Sequence, residues 1–74
     1  MSKTIYSEDH QRIVNKLKST RIEIGLDQKQ VAKLLGRTQS FVSKIESGQR
    51  KIDIVLLKEI AQIYKKPVDY FLKN

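Results

Sequence analysis

Apolar residues recur along this chain at helical spacing, in five short stretches separated by glycine, proline and small polar residues. In the first stretch Val14, Leu17, Arg21 and Ile24 fall on one stripe with Ile13 beside it. A helix over this stretch begins near Ser7. Ser7 is placed to cap it, Glu8 and Asp9 favour the positive end of its dipole, Tyr6 precedes the cap, and Gly25 supplies the stop. Asp27 opens a second helix, with Gln30 at capping-box spacing. Val31, Ala32, Leu34 and Leu35 form its apolar side, and Gly36 ends it after barely two turns. Thr38 caps a third helix that turns Val42 and Ile45 inward together with Thr38, and Gly48 closes it. Asp53 caps a fourth, whose wide apolar face of Leu56, Leu57, Ile60, Ala61, Ile63 and Tyr64 marks the most buried helix. Lys65, Lys66 and Pro67 break it. Val68 to Leu72 forms a last short helix, with Val68, Phe71 and Leu72 packing back.

The pattern predicts an all-α chain, a compact five-helix bundle. Residues 1–6 are expected to be a flexible N-terminal segment and residues 7–74 a single domain. The 74 residues leave room for one modest core. No apolar run is long enough to span a bilayer, and no apolar segment follows the basic start in the manner of a signal peptide. There is no cysteine, so neither a disulfide nor a thiolate metal site is available, and the expected location is cytoplasmic. His10 is the one histidine, which excludes a two-histidine metal site and leaves it a surface residue. There is no glycine-rich phosphate loop and no nucleophile with a base at a suggestive spacing. The chain is expected to be no enzyme and to need no cofactor.

Charge changes the picture. Fifteen Lys and Arg oppose eight Asp and Glu, a net +7. Such an excess attracts phosphate backbones, acidic membrane surfaces and acidic proteins alike. What separates these is the second and third helices. Two short helices joined by a tight glycine turn must be held by packing. Ala32 lets them approach closely, and Gly36 supplies the left-handed turn residue. Val42 and Ile45 anchor the third helix, leaving its other face outside. That face reads Gln39, Ser40, Ser43, Lys44 and Ser47, with no apolar residue and no acid. A glutamine amide pairs with adenine, lysine donates to guanine, and serine bonds base edges or phosphates. An ordinary solvated face mixes acids with bases.

Residues Leu26 to Gly48, LDQKQVAKLLGRTQSFVSKIESG, resemble the phage-repressor and Cro-like helix-turn-helix family, also called the XRE family. Gln28, Ala32, Gly36, Val42, Ile45, Glu46 and Gly48 sit where its pattern wants them, and the resemblance runs from about Val14 to Leu72. It implies a lambda-repressor-like DNA-binding domain, with the helix-turn-helix at about residues 28–47 and the recognition helix at about 38–47. It places Gln28 on a phosphate, Gln39, Ser40 and Lys44 on base edges, and Ser43 beside them. Phe41 occupies a position that often carries Tyr, where it packs on sugar or a thymine methyl, or else on the helix flank. The chain departs from the commonest family form at Asp53, near which Pro often stands, and at Pro67, where a Ser cap is frequent.

Arg37, Arg50 and Lys51 border the third helix in the turn and the following loop and, with Ser47, are assigned to the DNA backbone. Arg21 lies on the apolar stripe of the first helix, and Glu46 follows Val42 and Ile45 on the inward side of the third. A charge on an inward stripe needs a partner. The family pattern points to the same pair, so a partly buried Arg21–Glu46 salt bridge is expected to fix the two helices. The expected function is a sequence-specific transcriptional regulator, a repressor in the first instance, binding a palindromic double-stranded operator as a homodimer. Tyr64, Tyr70 and Leu72 are the candidate dimer surface, with Phe71 assigned to the core. The competing classes are an antitoxin or other protein-interaction module, a restriction-modification controller protein, and a non-specific nucleic-acid or RNA binder. The last calls for exposed aromatics among the basic residues, and the chain has three Tyr and two Phe, most of them needed for the core.

Overall fold

A computed structural model describes residues 7–73; the expected flexible segment 1–6, with Tyr6, lies outside the described residues. Five helices follow in order: α1 (Glu8–Glu23), α2 (Gln28–Leu35), α3 (Gln39–Glu46), α4 (Ile54–Ile63) and α5 (Val68–Leu72). Among the described residues there is no strand.

Local chemistry sets the boundaries. Ser7 Oγ accepts from the His10 amide at 3.2 Å, Thr38 Oγ1 from the Phe41 amide at 3.2 Å, and Asp53 Oδ1 from the Leu56 amide at 2.8 Å. At α2 the box is reciprocal: Asp27 Oδ1 accepts from the Gln30 amide and Gln30 Oε1 from the Asp27 amide, both at 2.8 Å. Each cap satisfies amides that would otherwise lack an acceptor. The C-termini of α1 to α4 share one wrap, in which an amide beyond the helix reaches back five residues. Arg37 N donates to Ala32 O at 2.8 Å and Lys66 N to Ala61 O at 2.9 Å. The wrap needs a left-handed residue. Gly36 provides it after α2 at φ 70°, but at α4 the position falls to Lys65 at φ 58°. A side chain there carries a steric cost, so Lys65→Gly is expected to stabilise the fold by about 0.5–1 kcal/mol, read as a higher urea midpoint.

The core is built from Leu17 of α1, Val31 and Ala32 of α2, Val42 and Ile45 of α3, Leu57, Ile60 and Ala61 of α4, Tyr64 and Phe71. Phe71 is 1% exposed and meets Tyr64 and Tyr70 edge-on, with centroids 6.3 and 5.2 Å away. α3 packs on α2 and α1, α4 on α2 and α5, and α5 returns to α1. α3 is therefore held from behind by two helices.

Four positions depart from the expected pattern. Ile24 is exposed because the helix has already ended there and it serves as the C-cap. Leu34 is 61% exposed, since the inward face of α2 is centred between Val31 and Ala32 and Leu34 lies roughly 100° from that centre. Thr38 faces solvent, its hydroxyl turned back to its capped amide. Leu72, at the last residue of α5, is exposed, while Val68 is half-buried and Phe71 alone is fully enclosed.

Candidate nucleic-acid interface

Val31 and Ala32 hold α2 against α3, and Val42 and Ile45 press the opposite side of α3 into the core. The remaining face of α3 is left outside. Gln39, Ser40, Ser43, Lys44 and Ser47 are all exposed there. Ser47 is the C-cap, and its hydroxyl donates to Lys44 O at 3.2 Å.

Behind this face runs a chain of hydrogen bonds from the core to the surface. Arg21 Nε donates to Glu46 Oε2 at 2.7 Å and Arg21 Nη2 to Glu46 Oε1 at 3.1 Å, a forked pair between α1 and α3. Arg21 Nη1 donates to Leu26 O at 2.8 Å, tying in the loop before α2. Glu46 Oε1 also accepts from Gln28 Nε2 at 3.0 Å. Gln28 Oε1 in turn accepts from Gln39 Nε2 at 3.4 Å. A buried ion pair thus orients a half-buried amide at the start of α2, and that amide touches the first residue of α3. Bonding to the Glu46 carboxylate raises the Arg21 pKa above its ordinary value, so the guanidinium stays charged.

Cations surround the face. Arg37, Arg50 and Lys51 are exposed. Lys44, Gln49, Arg50 and Lys51 line an open hollow beside the end of α3. Phe41 is half-buried, with the Arg37 and Arg50 guanidinium carbons 4.8 and 4.3 Å from its ring centroid. The sequence placed Gln28, Arg37, Phe41 and Arg50 singly. Neither the Gln28–Glu46 link, 18 residues apart in the chain, nor the grouping of the two arginines on one ring was read from it. Helical spacing marks which side of a helix a residue occupies, not which side chain meets it.

Of the candidate dimer residues, Tyr64 is corrected: at 3% exposure it belongs to the core, where its ring meets Phe71 edge-on. Tyr70 is half-buried, with Lys16 Nζ and Lys66 Nζ 4.5 and 4.7 Å from its ring centroid. Leu72 is exposed. Burial, reinforced by the Glu46 charge, pushes the Tyr64 phenol well above the usual value of 10.0, although Arg21 acts in the opposite direction. The folded state holds this proton more tightly than the unfolded chain. Its contribution to stability is therefore complete below about pH 10 and declines at higher pH. Urea midpoints measured through that range are expected to fall for the wild type and to fall less steeply for Tyr64→Phe.

His10 is half-buried, and no group of three metal-ligating side chains occurs among the described residues. No helix among them is long and apolar enough to cross a membrane.

Two short helices around a glycine turn, with a polar acid-free face on the second and cations at its edges, define a helix-turn-helix domain. The chain belongs to the HTH_3 helix-turn-helix family, whose model matches residues 17–71. Among solved structures it is similar to the DNA-binding domain of BldD, at 31% identity and a TM-score of 0.81, covering 93% of this chain and 100% of that one. It is similar also to the restriction-modification controller protein C.AhdI from Aeromonas hydrophila, at 26% identity and a TM-score of 0.80, covering 88% of this chain and 98% of that one. An HTH_3 family transcriptional regulator from Vibrio cholerae matches at 29% identity and a TM-score of 0.76, over 84% of this chain and 35% of that one. No curated protein sequence matches.

Proposed function

We propose that the chain is a transcriptional regulator that reads double-stranded DNA by laying α3 in the major groove, with α2 across the backbone. The observation that carries this reading is the exposed face of Gln39, Ser40, Ser43 and Lys44, backed by Gln28, Glu46 and Arg21 and edged by cations. Gln39 and Lys44 read base edges, with Ser40 and Ser43 close beside them. Gln28, Arg37, Ser47, Arg50 and Lys51 meet the backbone, and Phe41 packs at its edge. This chemistry requires no catalytic step, cofactor or metal, and it takes place in the cytoplasm. The chain acts as a homodimer on a palindromic operator, because one such helix spans few base pairs and two half-sites about 34 Å apart supply the missing affinity. Leu72 and the open edge of Tyr70 are the candidate contacts between copies. Repression follows where such a dimer covers a promoter. The likeness to C.AhdI, at 26% identity, supports a controller-type regulator as one form of this reading.

Selection of bound sites from random duplex DNA tests it, followed by titration of the winner against a scrambled duplex. A palindromic winner bound at least about a thousandfold more tightly is the expected result. Absence of any enriched site would overturn the regulator reading and favour a protein partner, as in a toxin–antitoxin pair.

A further inference from the structure

Phe41 sits in the first turn of α3, and two guanidinium groups share its ring. They come from chain on either side of the helix, Arg37 from the turn before it and Arg50 from the loop after it. Neither forms an ion pair with a carboxylate among the described residues. The ring face attracts each cation, while the two cations repel one another. Two positive groups gathered without an acid form a site that an anion completes. Neither guanidinium is engaged by a carboxylate among the described residues, so their N–H groups remain available for forked bonding to phosphate. The two carbons lie 4.8 and 4.3 Å from one centroid, so they are closer together than the roughly 12 Å width of the major groove. They therefore suit phosphates on one strand rather than on both sides of the groove.

We propose that Phe41 is a positioning residue whose ring gathers Arg37 and Arg50 into a two-pronged clamp on the phosphates of a single strand. This rests on the DNA-binding reading and adds that two backbone contacts from distant parts of the chain act as one unit. The ring removes part of the rotamer freedom that long arginine side chains would otherwise lose on binding. The clamp grips every duplex sequence equally, leaving discrimination to Gln39 and Lys44.

Two measurements test it. In the free protein, the side-chain Nε–H resonances of Arg37 and Arg50 are expected to carry ring-current shifts that vanish in Phe41→Leu and persist in Phe41→Trp. In duplex titrations at fixed salt, Phe41→Leu is expected to weaken binding to selected and scrambled DNA alike, by about 5–20-fold, with Phe41→Trp recovering most of the loss. Arg50→Gln should lose a similar factor, and Phe41→Leu combined with Arg50→Gln should lose little more than either alone. Fully additive losses, or arginine resonances indifferent to the ring, would overturn the clamp while leaving DNA binding intact. Wild-type protein that binds no duplex would overturn the DNA-binding reading and the clamp with it.

Discussion

Glu46→Ala is expected to cost about 3–5 kcal/mol of folding stability, because it removes the partner of a buried cation. Arg21 and Glu46 have side chains only 11% and 5% exposed, so the solvent that weakens a surface pair is largely absent. Without Glu46, the Arg21 guanidinium keeps a single bond, to Leu26 O, for a full charge. Arg21→Ala should cost less. The carboxylate left behind still accepts from Gln28 Nε2 and can turn toward the surface along that path. A chain of this size has about 4–11 kcal/mol in total, so Glu46→Ala lies near the limit of folding at room temperature.

Replacing both partners by apolar residues, as in Arg21→Met with Glu46→Leu, separates the value of the pair from the cost of breaking it. The double variant is expected to regain most of the lost stability, since apolar packing replaces two desolvated charges. It should not regain DNA affinity, because Gln28 then has no carboxylate to hold it. Urea unfolding of the three variants checks the first expectation. A Glu46→Ala midpoint within error of wild type would mean that the pair carries no structural burden.

The helix ends were legible because capping is local. Ser7, Asp27, Thr38 and Asp53 each bond an amide three residues on, a relation visible in the sequence itself. Spacing alone put Arg21 and Glu46 on inward stripes, and their side chains meet across 25 residues of chain. Periodicity failed at the margins of the faces. Leu34 is as apolar as Leu35, yet one turns outward because only neighbouring helices decide where a face stops. Tyr64 fell both on the apolar face of α4 and among the candidate dimer residues, and α5, folding back to set Phe71 against it, leaves it in the core. Lys65 gave no sign of a left-handed backbone, since that conformation is imposed by the wrap that ends α4. The convergence of Arg37 and Arg50 on Phe41 depends on two loops that enter from opposite ends of α3. No local pattern encodes such a meeting.

Gln39→Ala is expected to weaken binding to the selected operator by about 1–3 kcal/mol and to relax the preference at one base pair while leaving binding to scrambled DNA nearly unchanged. The reason lies in the donor count. A glutamine amide has two N–H donors and one carbonyl acceptor. One Gln39 N–H is directed to Gln28 Oε1 at 3.4 Å, which leaves the second N–H and the carbonyl for the two groups of an adenine edge. Gln28 thereby orients the plane of the Gln39 amide, and Glu46 fixes Gln28 through its 3.0 Å bond. Gln28→Ala should therefore erode the same base preference without itself touching a base, alongside a loss shared by all sequences from its missing backbone contact. The two substitutions should combine less than additively at that one base pair and additively elsewhere. Competition titrations with single base-pair replacements measure this directly. If Gln39→Ala weakened operator and scrambled duplex equally, Gln39 would be a backbone contact, and the reading of bases would pass to Lys44 and the serines beside it.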